Sequence, residues 1–164
     1  MTRKDVRSHV FKILFQLKFF SVKQVKDKLD LYFTCQDLVI EEPKRPEYQE
    51  KEEAEKFDEE LKKTLKEIAK LEDSKKQILE FVNGVTDHLT EIDDVLNKYM
   101  KGWKTTRIPS ADLAILRMAV YEMLYSDLSI KIIANEAVEL AKNYSTDESP
   151  SFVNAIIGQI HKSL

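Results

Sequence analysis

The sequence predicts an all-helical fold, and three observations carry that expectation. Apolar residues recur at three- and four-residue spacing over most of the chain, the period of an amphipathic helix. Turn residues are scarce, with three glycines and four prolines among 164 residues, which argues against an all-β fold. Charged residues make up 34% of the chain, with Leu, Lys, Glu and Ala prominent, a composition of good helix formers. The length fits one domain, or two small subdomains sharing an interface.

The first helix, about 3–20, carries a stripe of Val6, Val10, Ile13, Leu14 and Leu17, widened by Phe11, Phe15, Phe19 and Phe20. A second spans about 22–39, with Val22, Val25, Leu29, Tyr32 and Phe33 facing inward, before Pro43 and Pro46 break the chain. Residues 47–73 are rich in Glu and Lys around a thin stripe of Phe57, Leu61, Leu65 and Ile68. Asp58–Lys62 and Glu59–Lys63 are favourable i,i+4 pairs, so this is a solvent-facing helix packed along one edge.

A core helix follows at about 75–90, with Ile78, Leu79, Val82, Val85 and Leu89. Gly84 within it costs roughly 1 kcal/mol against alanine, which points to a close helix crossing. A shorter helix bearing Ile92, Val95, Leu96 and Tyr99 ends near Gly102-Trp103. Pro109 and a capping Ser110 start the next, about 111–126, which buries Leu113, Leu116, Val120, Met123 and Leu124. The helix at about 130–144 sets Ile130, Ile133, Ala134, Ala137, Val138, Ala141 and Tyr144 on one side, its small residues permitting close packing. Ser149 then caps the last helix with Pro150 at its first position, and Phe152, Val153, Ile156, Ile157 and Ile160 complete the core.

Polar residues interrupt these last helices where a simple apolar bundle has little use for them: Arg117, Glu122, Asn135, Glu136 and Asn154. They read as internal ties. Arg117 and Glu122 should survive burial by pairing, with each other or across helices.

Net charge is −3, from 29 acids and 26 bases, but its distribution is uneven. Residues 1–28 carry Arg3, Lys4, Arg7, Lys12, Lys18, Lys23, Lys26 and Lys28 against only Asp5 and Asp27, whereas 41–60 is mostly acidic. Screening confines each field to about 8–10 Å, so a basic end on an acidic protein can still hold phosphate.

Catalytic patterns are absent. His9, His88 and His161 have no metal-spaced partners, Gly84, Gly102 and Gly158 stand alone, and Asp93-Asp94 reads as surface charge. The single Cys35 reads as a small apolar residue on a helix face. No signal peptide or membrane-length apolar run is evident. The expectation is a cytosolic protein that binds without transforming, with no cofactor and no metal.

Three runs carry a resemblance: Ala114-Ile115-Leu116-Arg117-Met118-Ala119-Val120-Tyr121-Glu122-Met123-Leu124, then Asn135-Glu136-Ala137-Val138-Glu139-Leu140-Ala141-Lys142, then Ser149-Pro150-Ser151-Phe152-Val153-Asn154. In that order they resemble the NusB family of bacterial transcription antitermination factors. The stretch from Leu79 to Ile92-Asp93 fits too, and so, more loosely, does Thr2-Arg3-Lys4 with Arg7 ahead of Ile13-Leu14-Phe15-Gln16.

The resemblance implies two small packed three-helix bundles, an N-terminal part at 1–75 with a charged insert at 41–73 and a C-terminal bundle at 76–164. It implies RNA binding without catalysis, as a monomer or homodimer. In the family the partners are the ribosomal protein that doubles as NusE, the boxA element of nascent RNA, and the RNA polymerase antitermination complex on ribosomal RNA operons. Carried over by position, Arg3, Lys4, Arg7, Tyr99 and Phe152 are RNA-binding residues, and Phe15, Asp112 and Glu148 belong to the protein-partner surface. Ser145 and Ala155 stand where the family usually has glycine. Two other readings are a detached NusB-like domain of a ribosomal RNA cytosine methyltransferase and a helical adaptor that binds no RNA.

Overall fold

The computed structural model describes residues 1–41, 43–44, 51–100 and 108–164. Among them the chain forms eight α-helices and one short 3-10 turn, with no strand. The proline break at Pro46 and the helix end at Gly102-Trp103 lie outside the described residues. None of the described helices is long and apolar enough to cross a membrane.

Helix α1 (Arg3–Phe15) starts from a reciprocal cap: the Asp5 N–H donates to the Thr2 hydroxyl at 3.2 Å and the Thr2 N–H donates to the Asp5 carboxylate at 2.8 Å. It tightens into a 3-10 turn at Gln16–Lys18. The single helix expected at 22–39 is two, α2 (Val22–Asp27) and α3 (Leu29–Cys35), joined at Lys28, whose backbone (φ −105°, ψ 7°) leaves the helical region. The bend lets both Val25 and Phe33 reach the core, a tertiary gain that overrides local propensity. Asp37 then adopts a left-handed conformation (φ 53°), and the Leu38 N–H returns to the Phe33 carbonyl at 3.0 Å, burying Leu38. Cys35 is exposed in the last turn of α3, not on an apolar face.

The two helices expected at 47–73 and 75–90 are one, α4 (Lys51–Asp87), 37 residues and about 55 Å long. No proline or glycine interrupts it before Gly84, and buried Ser74 satisfies its hydroxyl within the helix by donating to the Lys70 carbonyl at 2.9 Å. The division drawn at residue 75 therefore falls inside a continuous helix. Its outer half is as solvent-facing as its composition implies, with Phe57, Leu61 and Ile68 half-buried. Leu65, expected on the packed edge, is 41% exposed. From Ile78 inward the stripe becomes core, with Ile78, Val82 and Val85 fully buried.

Helices α5 (Leu89–Tyr99), α6 (Ser110–Tyr125), α7 (Ile130–Tyr144) and α8 (Ser149–His161) follow. Two starts differ by one residue from expectation. Pro109 and Glu148 occupy the cap positions, and Ser110 and Ser149 are the first helical residues. As the spacing predicts, α6, α7 and α8 pack mutually into one unit, and α6 also touches α1, α4 and α5. It is the hub, and Ala114, Ile115, Leu116, Met118, Ala119 and Val120 are all buried on it.

A helix buried on nearly every side must pair its polar groups, and α6 does so in three directions. Glu122 meets Arg7 of α1 in a buried ion pair. Arg117 grips Asp93 of α5 with two parallel hydrogen bonds, 2.8 and 2.7 Å. Asp112, in the first turn, accepts from the hydroxyls of Ser145 (2.5 Å) and Ser149 (2.9 Å). That carboxylate is 3% exposed and lies at the amino ends of both α6 and α8, where helix dipoles favour negative charge. Asp112 is thus an internal tie and not part of a partner surface. Ser145, in an extended conformation, fills its turn without needing a glycine. Asn135 and Asn154, expected as ties, are exposed, and Glu136 is half-buried.

Gly84 marks the crossing its cost implies. A Cβ there would lie 2.1 Å from the Tyr121 hydroxyl and 2.3 Å from its ring carbon. Tyr121 has little room to yield, with Phe81 at 5.5 Å and Tyr125 at 5.3 Å between ring centroids.

Gly84→Ala should destabilise the protein by about 1–2 kcal/mol in urea unfolding, because overpacking outweighs the helix-propensity gain. In a Tyr121→Ala background the same change should become neutral or stabilising; a cost that persists there would refute the close-crossing account. Asp112→Ala should cost about 1–3 kcal/mol by removing the acceptor that the Ser145 and Ser149 hydroxyls share, and a loss under about 0.5 kcal/mol would contradict the tie.

Candidate nucleic-acid interface

The capped first turn of α1 fixes where its basic residues point. Arg3 and Lys4 are exposed there, and hydrogen bonds from Thr2 hold the Asp5 carboxyl below its ordinary range. Lys4 reaches Glu139 of α7 at 3.6 Å, but both side chains are about half in water, so the contact is weak and readily exchanged. Glu136 and Glu139 line the groove beside Lys4 together with Ser8, Asn143 and Tyr144. That acidity tempers the attraction for phosphate.

Arg7 does not share this surface. One turn along α1 it is 7% exposed and committed to Glu122, with its Nε buried without an acceptor. Burial pushes the Glu122 carboxyl up, more than the guanidinium pulls it down. The basic cluster expected from Arg3, Lys4 and Arg7 is therefore Arg3 and Lys4 alone.

A row of rings runs along α1 from core to surface. Tyr144 stacks on buried Phe11 with centroids 4.7 Å apart, Phe15 lies 6.0 Å further on, and Phe19 meets Phe15 edge-on at 6.2 Å. The Ser8 and Tyr144 hydroxyls hydrogen-bond, tying the middle of α1 to the last residue of α7. Half-buried Phe15 forms one wall of an open groove of about 480 Å³, with Leu17 and Lys18 beside it and Leu113 and the Arg117–Asp93 pair opposite. Along the helix axis Phe15 lies about 18 Å from Arg3.

Tyr99 is the last residue of α5, half-buried, with the Lys98 ammonium 5.1 Å from its ring centroid. Phe152 is half-buried in the first turn of α8, and exposed Glu148 precedes that turn. Helices α5 and α8 pack together, so these residues occupy the carboxyl-terminal bundle, apart from the amino end of α1.

Sequence reasoning missed several groups. Asp93, read as surface charge, is the partner of Arg117. Phe19 and Phe20, read as widening the apolar face of α1, are exposed, and each carries a lysine ammonium over its ring. The run Lys18-Phe19-Phe20, with Lys23 after it, is the signal that could have found them.

A match to the NusB family covers residues 38–162. The transcription antitermination protein NusB of Agathobacter rectalis is 34% identical over 97% of this chain and 98% of its own length. That of Acetivibrio thermocellus is 46% identical over 64% of this chain and 73% of its own. Among solved structures, T. maritima NusB is similar with a TM-score of 0.65 at 28% identity, covering 99% of this chain and 92% of that one. With the family matched over most of its length and an all-helical structure that follows a solved member from end to end, the chain belongs to the NusB family.

Proposed function

We propose that this chain is a cytoplasmic, non-catalytic transcription antitermination factor that binds boxA-type single-stranded RNA together with NusE, within the antitermination complex of RNA polymerase. The observation that carries the reading is the end-to-end match to a relative named as a transcription antitermination protein.

The surface is compatible with that role. Arg3 and Lys4 offer two cations to backbone phosphates, while half-buried Tyr99 and Phe152 offer ring edges or faces to unpaired bases. Half-buried Phe15 and exposed Glu148 remain for a protein partner. Two phosphate contacts are few, so the chain alone binds weakly and the assembled pair reads the bases.

Titration of labelled boxA RNA at several salt concentrations, with and without NusE, tests this. NusE should tighten binding. Arg3→Ala with Lys4→Ala should weaken RNA binding and flatten the log–log salt slope by up to roughly 1.4, at about 0.7 per lost contact, with NusE affinity unchanged. An unaltered affinity and slope in that double variant, or no boxA binding in the presence of NusE, would overturn the proposal.

A further inference from the structure

The turn after α1 carries two adjacent phenylalanines that the core does not absorb. Phe19 is 64% exposed and Phe20 38%. The Lys18 ammonium stands 5.4 Å from the Phe19 ring centroid, and the Lys28 ammonium stands 4.2 Å from that of Phe20, both within cation–π range. Lys23 is exposed nearby in sequence, and Lys26 is engaged with Asp87 at 2.9 Å. Across 18–28 the only acid is Asp27.

This platform is rigid for a surface turn. The N–H groups of Phe19 and Phe20 both donate to the Gln16 carbonyl, at 2.9 and 3.0 Å. Ser21 and Gln24 then cap α2 reciprocally. The backbone that carries the rings is thus fixed before any ligand arrives, which lowers the ordering cost of binding. Through its edge contact with Phe15, Phe19 also continues the aromatic row, and Lys18 lines the groove that Phe15 walls.

We propose that Phe19 and Phe20, with Lys18, Lys23 and Lys28, form a second contact for single-stranded RNA, taking nucleotides that flank the boxA element. The inference rests on the function proposed above and extends it to a surface that the family resemblance did not assign. A single-stranded RNA supplies both things the patch lacks: flat π-faces for exposed rings and negative charge for the lysines. An anionic membrane supplies the charge, but surface helices that lie on membranes bury a whole apolar face, and here only two rings of a short turn protrude.

The test uses the full chain with two exposed-ring variants, Phe19→Ser alone and Phe19→Ser with Phe20→Ser, and the charge variant Lys23→Gln with Lys28→Gln. The single variant keeps the result interpretable if loss of the less exposed Phe20 disturbs the fold. Three RNAs are titrated: a boxA core with NusE present, the same core extended by about six uridines at either end, and an oligouridylate with the chain alone. The extension on one side should tighten wild-type binding at least about fivefold, the effect of stacking a single base. The variants should lose that gain and weaken oligouridylate binding while leaving core affinity unchanged. Failure of the core RNA to bind with NusE would count against the proposed function alone, because the oligouridylate arm still reads the patch. The inference is overturned if neither extension helps the wild type, if the variants keep the gain or bind oligouridylate normally, or if they instead lose binding to phosphatidylserine vesicles or to NusE.

Discussion

The rest of the structure depends on the burial of charge along α6. This helix packs against α1, α4, α5, α7 and α8, so little of it is left in water to solvate a charged group. An unpaired charge there would cost several kcal/mol. Each polar group on it therefore reaches a different neighbour: Glu122 to Arg7 of α1, Arg117 to Asp93 of α5, and Asp112 to Ser145 and Ser149 around the start of α8. A shift of α6 by one turn would leave three charges without partners. The ties fix the register of the bundle, while apolar burial supplies most of the stabilisation.

This constraint redistributes the surface available for RNA. Arg7 is withdrawn into the core, so the amino end of α1 keeps two exposed cations, and acids on α7 crowd one of them. Aromatic surface increases towards the other end of α1, from buried Phe11 through half-buried Phe15 to exposed Phe19. A surface with weak charge at one end and exposed rings at the other suits a ligand that is both anionic and unpaired, held at many modest contacts and tightened by a partner.

The periodicity of apolar residues was sufficient to find α1 and α5 to α8, because their stripes are bounded by caps or breakers. Gly84 was legible as a crossing because a glycine inside a helix needs a reason, and Tyr121 is that reason. Arg117 and Glu122 were legible as paired, though not with whom, since their partners lie 24 and 115 residues away. Arg7 misled because it lies about one helical turn from Arg3 and Lys4. Arg7 lies only about 40° round the helix from Arg3, but it stands one turn deeper, level with buried Val6 and Val10 where α1 packs on its neighbours. Asp112 was misplaced for the same reason that buried networks resist sequence reading: nothing local distinguishes a carboxylate facing water from one facing two serines. The continuity of α4 was hidden by a change of composition near residue 74, where solvent-facing helix becomes core helix without any break in the backbone.

The most direct test of this account is a thermodynamic cycle on the Arg7–Glu122 pair, read by urea unfolding of Arg7→Ala, Glu122→Ala and the double variant. Each single change should cost about 3–5 kcal/mol by stranding its partner's charge. The double variant should then cost much less than their sum. Additivity within about 0.5 kcal/mol would mean the two groups do not interact, and would contradict both the pairing and the removal of Arg7 from the RNA-binding surface.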